Sequence, residues 1–144
     1  MAITKLNPYL NFDGTAAKAI QLYEKALGAK VENLMRFADA GQMGHDTAPE
    51  VKDRIMHAVL DFGPAGVVMI SDGMPGVPVP AESNTHVSLN FDDAADMARK
   101  FEALGAGGGK VTMPLQDTFW GARFGMLTDA YGIRWMFNCE LRKP

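Results

Sequence analysis

The chain of 144 residues contains a single cysteine, Cys139. One cysteine cannot form an intramolecular disulfide, and it cannot supply the thiolates of a cysteine-rich metal site. No apolar run approaches the ~20 residues that a membrane-spanning helix needs. The N-terminal residues also lack the apolar segment of a secretory signal. Together these absences predict a cytoplasmic protein that does not enter a membrane.

Basic blocks are also lacking, because 14 Lys and Arg residues are spread among 17 Asp and Glu residues, for a net charge of −3. Nucleic acid is therefore not an expected partner. The glycine-rich run Leu104–Val111 fails as a phosphate loop, since Leu104 replaces the first glycine and Val111 the magnesium-binding Ser or Thr. The Gly-x-Ser-x-Gly and His-Glu-x-x-His motifs are absent.

An internal repeat is the most informative feature that the chain does have. Leu-Asn-Phe-Asp occurs at residues 10–13 and again at 89–92, and Ala-Leu-Gly-Ala occurs at 26–29 and 103–106. Self-similarity of this kind predicts two copies of one supersecondary unit. We expect a single domain, residues 1–144, built from module one (5–75) and module two (83–141).

Each module predicts the element order βαβββ, and hence an α+β fold. The two helices are expected to begin after Asp13 and Asp92, which are good N-cap residues, and a long loop is expected over Ala38–Asp53. Apolar and polar residues alternate along the strands, so one face should pack on the helices. The other, mixed faces are expected to line a cup-shaped mixed sheet that holds a ligand.

Two hairpins place candidate catalytic and binding groups on the mixed faces. With two central turn residues in each hairpin, His57 lies opposite Asp72 and Arg123 lies opposite Asn138. A His–Asp pair can orient an imidazole as a general base, and an arginine can hold a substrate anion. The alternative is that these are ordinary structural cross-strand pairs, and a register slip of one residue would undo both.

Histidine and aromatic residues supply further candidates. His86 falls on the mixed face of the fifth strand, although a lone histidine there is also typical of a hydrogen-bonded structural residue. His45 falls in the long loop and is expected to be solvated. Trp120 and Phe124 alternate with small or polar residues, which predicts either a pocket wall or packing at the rim of the sheet.

Several motifs together carry a family resemblance. They are Pro8–Phe12, Met69–Pro75, Gln116–Gly121, and the run from Phe124-Gly125 through Thr128-Asp129 and Gly132 to Trp135-Met136. With the duplicated βαβββ order, they resemble the vicinal-oxygen-chelate superfamily of glyoxalase I, extradiol dioxygenases and bleomycin-resistance proteins. Within it the chain is most similar to the PhnB-like branch. Members of that branch often carry the label demethylubiquinone methyltransferase, which no Rossmann-like alternation supports here.

The resemblance implies where a metal would bind if there were one. Metal-using members take one ligand from each of four strands, and the matching positions here are Asn7, Ile70, His86 and Met136. Only His86 is a usual ligand, whereas a divalent cation needs several nitrogen or oxygen donors. We therefore expect no cofactor, with His86 as the ligand if a metal binds. A shift of two on the fourth strand would bring Asp72 in instead.

The sequence thus predicts a protein that binds a small organic molecule in the cup, without a metal and as a homodimer by resemblance. The catalytic candidates are His57, His86 and Asp72; the substrate-binding candidates are Asn7, Tyr9, Trp120, Arg123 and Met136. Two enzymatic alternatives remain open: a lyase, isomerase or dioxygenase with a metal at His86, and a metal-free enzyme with a histidine general base. Whether the protein is an enzyme is left undecided.

Overall fold

The computed structural model describes residues 2–40, 49–73, 77–80 and 82–141. It contains the βαβββ order twice, which confirms the predicted α+β fold. The elements are β1 (Tyr9–Asn11), α1 (Ala16–Leu27), β2 (Lys30–Arg36), α2 (Pro49–Lys52), β3 (Ile55–Asp61), β4 (Val67–Ser71), β5 (Val87–Phe91), α3 (Ala94–Ala106), β6 (Lys110–Asp117), β7 (Ala122–Thr128) and β8 (Arg134–Glu140). His45, in the predicted long loop, lies outside the described residues, as do Met74 and Pro75.

The eight strands form two four-stranded mixed sheets. Sheet 1 has the order β1-β4-β3-β2, and sheet 2 has the order β5-β8-β7-β6. In each sheet the first strand runs parallel to its neighbour, and the other pairs are antiparallel. The chain divides into two compact units: unit 1 runs to Glu24 and from Gly28 to Val79, and unit 2 comprises Lys25–Leu27 and the chain from Pro80 onward.

Sheet 1 has a buried face and a mixed face. Leu10 of β1 pairs with Ile70 of β4, Ile70 pairs with Ala58 of β3, and all three side chains are buried. Because successive side chains of a strand point to opposite faces, the residues between them form the second face. The mixed face of sheet 1 comprises Tyr9, Asn11, His57, Val59, Asp61, Val67, Met69 and Ser71.

Sheet 2 is divided in the same way, and its buried face packs on α3. The ring of Phe137 stacks on that of Phe91, with centroids 5.5 Å apart, and meets the edge of Phe101 of α3 at 5.0 Å. Trp135 and Cys139 share this buried face. The mixed face of sheet 2 comprises Ser88, Asn90, Met113, Gln116, Ala122, Phe124, Met126, Thr128, Arg134, Met136, Asn138 and Glu140.

The residues that begin the two long helices differ from the prediction. Asp13 does not cap α1, because its carboxylate pairs with Arg54 at 2.9 Å, and the capping carboxylate is that of Asp72. In α3 the cap is Asp93, one residue after the predicted Asp92. Within the described ranges, no helix is long and apolar enough to cross a membrane.

Candidate functional site

A phenol and an imidazole meet on the mixed face of sheet 1. The hydroxyl of Tyr9 lies 2.8 Å from Nδ1 of His57, across the intervening strand β4. Tyr9 is 44% exposed and His57 is half-buried, so both groups can be reached from solvent. If His57 donates from Nδ1 to the Tyr9 oxygen, Nε2 is a free hydrogen-bond acceptor. If Tyr9 donates to Nδ1, Nε2 carries the proton and is a free hydrogen-bond donor. In either tautomer the pair offers one donor or acceptor to a ligand.

The predicted pairing of His57 with Asp72 is wrong by one residue. The β3–β4 register pairs Ala58 with Ile70, which places Ser71 opposite His57. The hairpin closes over three turn residues, Gly63–Ala65, instead of two. Since side chains alternate between faces, a shift of one residue moves Asp72 off the mixed face.

Asp72 instead anchors the backbone of unit 1. Its side chain is 2% exposed, and Oδ1 accepts hydrogen bonds from the amides of Gly14 at 2.8 Å and Ala16 at 2.9 Å. Oδ2 accepts from the amide of Ile55 at 2.8 Å. The carboxylate therefore ties the start of α1 to the start of β3, which is a structural role and not that of a partner for His57.

The residues at the four predicted metal positions do not fit a divalent cation. Ile70 is fully buried on the wrong face, so that assignment is wrong, and Met69 occupies the mixed face at that level. The amide of Asn7 donates to the carbonyl of Val67 at 3.1 Å. Among the described residues no group of three or more His, Cys, Asp or Glu side chains could hold a metal ion. One imidazole, one amide and one thioether, from His86, Asn7 and Met136, lack the charge and the donors that such a cation requires.

Methionines form a continuous row on the mixed face of sheet 2. Met113 of β6 pairs with Met126 of β7, and Met126 pairs with Met136 of β8. All three side chains are half-buried, in contrast to Met97, which is fully buried in the core. Methionine side chains are flexible and polarisable, so this row forms an adaptable apolar surface.

Arg123 lies on the buried-face side of sheet 2. The β7–β8 register pairs it with Cys139, whereas Phe124 pairs with Asn138, so the predicted pairing of Arg123 with Asn138 is wrong. The guanidinium donates from Nε to the carboxylate of Asp117 at 2.8 Å. Its charge is already balanced by this partner, which argues against the predicted role in holding a substrate anion.

The Arg123–Asp117 pair leads to a testable pH effect. The hydrogen bond from Arg123 lowers the pKa of the Asp117 carboxyl, and its charge acts in the same direction. The pair is therefore fully formed at neutral pH and is lost as the pH falls through this lowered pKa. In Arg123→Gln we expect the pKa of Asp117 to rise toward its ordinary value, measured by NMR titration of the carboxyl carbon. Arg99→Gln, which removes a charge from α3, is the control; an unchanged Asp117 pKa in Arg123→Gln would contradict the pairing.

A small cavity lies at the end of sheet 2, beside the turn that joins β6 to β7. Its volume is about 230 Å³, and it is lined by Trp120, Gly121, Ala122, Asn138 and Glu140. The turn is fixed by hydrogen bonds from the Thr118 amide to the Ala122 carbonyl at 2.7 Å and from the Gly121 amide to the Thr118 carbonyl at 3.3 Å. Trp120 is 63% exposed and contacts Phe119 edge to face at 5.0 Å.

The predicted site residues are thus only partly brought together. Tyr9 meets His57 in unit 1, and Trp120 lines the cavity in unit 2. His86, one residue before β5, is half-buried and falls by alternation on the side of Ser88. Sequence reasoning missed Glu140, although its spacing of two residues from Asn138 was a signal that both share a face.

Comparison with known proteins identifies the family. The family model of the Glyoxalase/Bleomycin resistance protein/Dioxygenase superfamily matches residues 5–137. This match covers nearly the whole chain, from the start of module one into the last strand of module two. The protein belongs to this superfamily.

Individual relatives resemble the chain over almost its full length. Protein YjdN of Escherichia coli is 31% identical over 145 residues, covering 96% of this chain and 97% of the relative. The crystal structure of protein PA1353 from Pseudomonas aeruginosa has a TM-score of 0.83 and 38% identity, covering 97% of this chain and 100% of that one. A Bacillus cereus structure, described as a putative 3-demethylubiquinone-9 3-methyltransferase and PhnB protein, has a TM-score of 0.76 at 20% identity, covering 94% and 99%.

Proposed function

We propose that the protein is a PhnB-like member of its superfamily that binds a small organic molecule through the mixed face of sheet 1, without a metal. The observation that carries this proposal is the hydrogen bond of 2.8 Å between Tyr9 and His57. These polar groups stand beside the apolar side chains of Val59 and Met69 on the same face. Small-molecule sites commonly combine an apolar lining with a few polar groups that fix orientation.

The similarity to the Bacillus cereus structure supports the PhnB-like branch, as do the sequence motifs of that branch. Methyl transfer is not part of the proposal, because the sequence lacks the glycine-rich loop of a nucleotide-binding fold and the elements that the structure describes do not follow its alternating β–α order. The proposal includes a homodimer, which rests on the resemblance to the superfamily. It also includes a cytoplasmic location, which rests on the single cysteine and on the apolar segments that the sequence lacks.

The test is a fragment screen by protein-observed NMR with small aromatic and carbonyl compounds. The screen should find compounds that bind the wild-type protein and shift the NMR signals of Tyr9 and His57. Tyr9→Phe and His57→Gln should each lower the affinity for these compounds about 5-fold, because one hydrogen bond is worth about 1 kcal/mol. Tyr131→Phe, in unit 2, is a matched control and should not change binding. Compounds that bind both variants as tightly as the wild type would contradict the proposal.

A second candidate is a metal-free enzyme in which His57 is the general base. It is favoured by the same contact in the tautomer in which His57 donates from Nδ1 to the Tyr9 oxygen, because the bond then fixes the imidazole and leaves Nε2 to accept a proton. Carbon acids among the bound compounds should then exchange hydrogen for solvent deuterium. This exchange should stop in His57→Gln and be insensitive to chelators. Hydrogen exchange of the bound compounds that is no faster than in buffer alone would contradict this second candidate.

A further inference from the structure

The cavity beside Trp120 in unit 2 has a chemistry of its own, independent of the Tyr9–His57 pair in unit 1. We propose that this cavity binds a small organic cation, such as a quaternary or alkyl ammonium group. Three features of the lining support the proposal: an unbalanced carboxylate, an exposed indole and an available amide oxygen.

The carboxylate is that of Glu140, at the end of β8. Among the described residues, no side chain forms an ion pair or a hydrogen bond with it. The cation on the neighbouring strand, Arg123, lies on the opposite side of the sheet and is paired with Asp117 at 2.8 Å. The lining therefore carries one negative charge, which a cationic ligand would balance.

The indole of Trp120 supplies the second feature. Tryptophan has the most favourable ring for attracting a cation to its face. Here the side chain is 63% exposed, so most of it is accessible to a ligand. The indole contacts the ring of Phe119 edge to face, with ring planes at 87° and centroids 5.0 Å apart.

The third feature is the side-chain amide of Asn138. Its Nδ2 donates to Oδ1 of Asn90 at 3.2 Å, which fixes the amide orientation. In the described part of the chain Oδ1 of Asn138 accepts no hydrogen bond, so it can accept one from a ligand ammonium or hydroxyl group. The volume of about 230 Å³ suits a head group and not a drug-sized molecule, since sites for the latter measure about 300–1,000 Å³.

The experiment compares choline with 3,3-dimethylbutan-1-ol, which has the same shape but carbon in place of the charged nitrogen. The chain has two tryptophans, so indole N–H signals in ¹H–¹⁵N NMR spectra report on Trp120 and on the buried Trp135. Choline should shift the Trp120 signal at low millimolar concentration and leave that of Trp135 in place. The neutral alcohol should bind at least about 5-fold more weakly, because it lacks both charge-dependent contacts.

Variants separate the cation site from general effects of charge and folding. Glu140→Gln and Trp120→Leu should each weaken choline about 3-fold, as expected for exposed charge and cation–π contacts. In Trp120→Leu, binding is followed on the backbone amide of Gly121. Glu102→Gln, an exposed site on α3, removes the same charge outside the cavity and should have no effect. Equal binding of choline and the alcohol, or equal loss in Glu102→Gln and Glu140→Gln, would overturn the proposal. Choline binding that persists in His57→Gln would show that this site is separate from the one on sheet 1.

Discussion

Replacing Asp72 with alanine is expected to lower the free energy of unfolding by about 3–5 kcal/mol. The substitution removes the acceptor of three backbone amides, those of Gly14, Ala16 and Ile55, at 2.8–2.9 Å. The carboxylate is 2% exposed, so water cannot readily replace it. Each buried amide left without a partner costs about 1–3 kcal/mol, which makes this one of the largest effects expected from replacing a single polar side chain.

Urea denaturation followed by far-UV circular dichroism measures this loss. Asp72→Asn should fall between wild type and alanine, because its oxygen can still accept from Gly14 and Ala16 while its NH₂ group faces the Ile55 amide. Asp13→Ala removes the same charge from a carboxylate that is largely exposed in its ion pair with Arg54, and it should cost no more than about 1 kcal/mol. If Asp72→Ala were no more destabilising than Asp13→Ala, the anchoring role would be refuted.

The second large effect is expected at Asp129, in the turn between β7 and β8. Its Oδ1 accepts from the amides of Tyr131 at 2.8 Å and Ile133 at 3.1 Å, and Oδ2 accepts from the indole Nε1 of Trp135 at 2.9 Å. The residue is 4% exposed. Asp129→Ala should therefore lower the free energy of unfolding by about 3 kcal/mol or more.

A double-mutant cycle resolves the contact between Asp129 and Trp135. Asp129→Asn keeps an acceptor for the turn amides but can direct its NH₂ toward the indole N–H, while Trp135→Phe removes that N–H. We expect the double variant to be about 1 kcal/mol more stable than the sum of the two single changes predicts. Strict additivity of the unfolding free energies would show that the indole bond contributes little.

The sequence was sufficient to predict the order of the elements but not the register of the hairpins. The repeated Leu-Asn-Phe-Asp and Ala-Leu-Gly-Ala segments mark the start and end of equivalent elements, and the structure has both copies of βαβββ. Both hairpins, however, close over three residues, after Phe62 and after Asp129, where two were expected. Compared with a loop of two residues, a loop of three shifts the register by one, and this shift moves every side chain of one strand to the other face relative to its partner strand. A single turn residue therefore decided which side chains share a face.

The role of Asp72 was hidden for a related reason. Its three amide donors come from segments 17 to 58 residues away in the chain, and no local pattern relates them. The sequence indicated only a polar residue at the end of a strand. The buried anchor depends on how α1, β3 and β4 meet, which is a property of the tertiary structure.

The candidate sites were predictable to the extent that they follow from alternation along single strands. Alternation placed Tyr9 on a mixed face, and the density of aromatic residues predicted for Trp120 either a pocket wall or packing at the rim of the sheet. The hydrogen bond between Tyr9 and His57 spans three strands, so it depends on a register that the sequence leaves open. The cavity beside Glu140 needs both that register and the path of the turn before β7.

The internal repeat has a consequence for how such a protein can diverge. Leu10 and Leu89 hold matching places in the two copies, yet the residue before them is Tyr9 in one copy and Ser88 in the other. Each copy keeps its own scaffold, so a change on one mixed face leaves the framework of the other copy intact. The mixed face of the first copy carries a phenol and an imidazole, whereas that of the second carries thioethers and amides. Because the chain has two copies, the mixed face of one copy can change by substitution while that of the other copy keeps its residues.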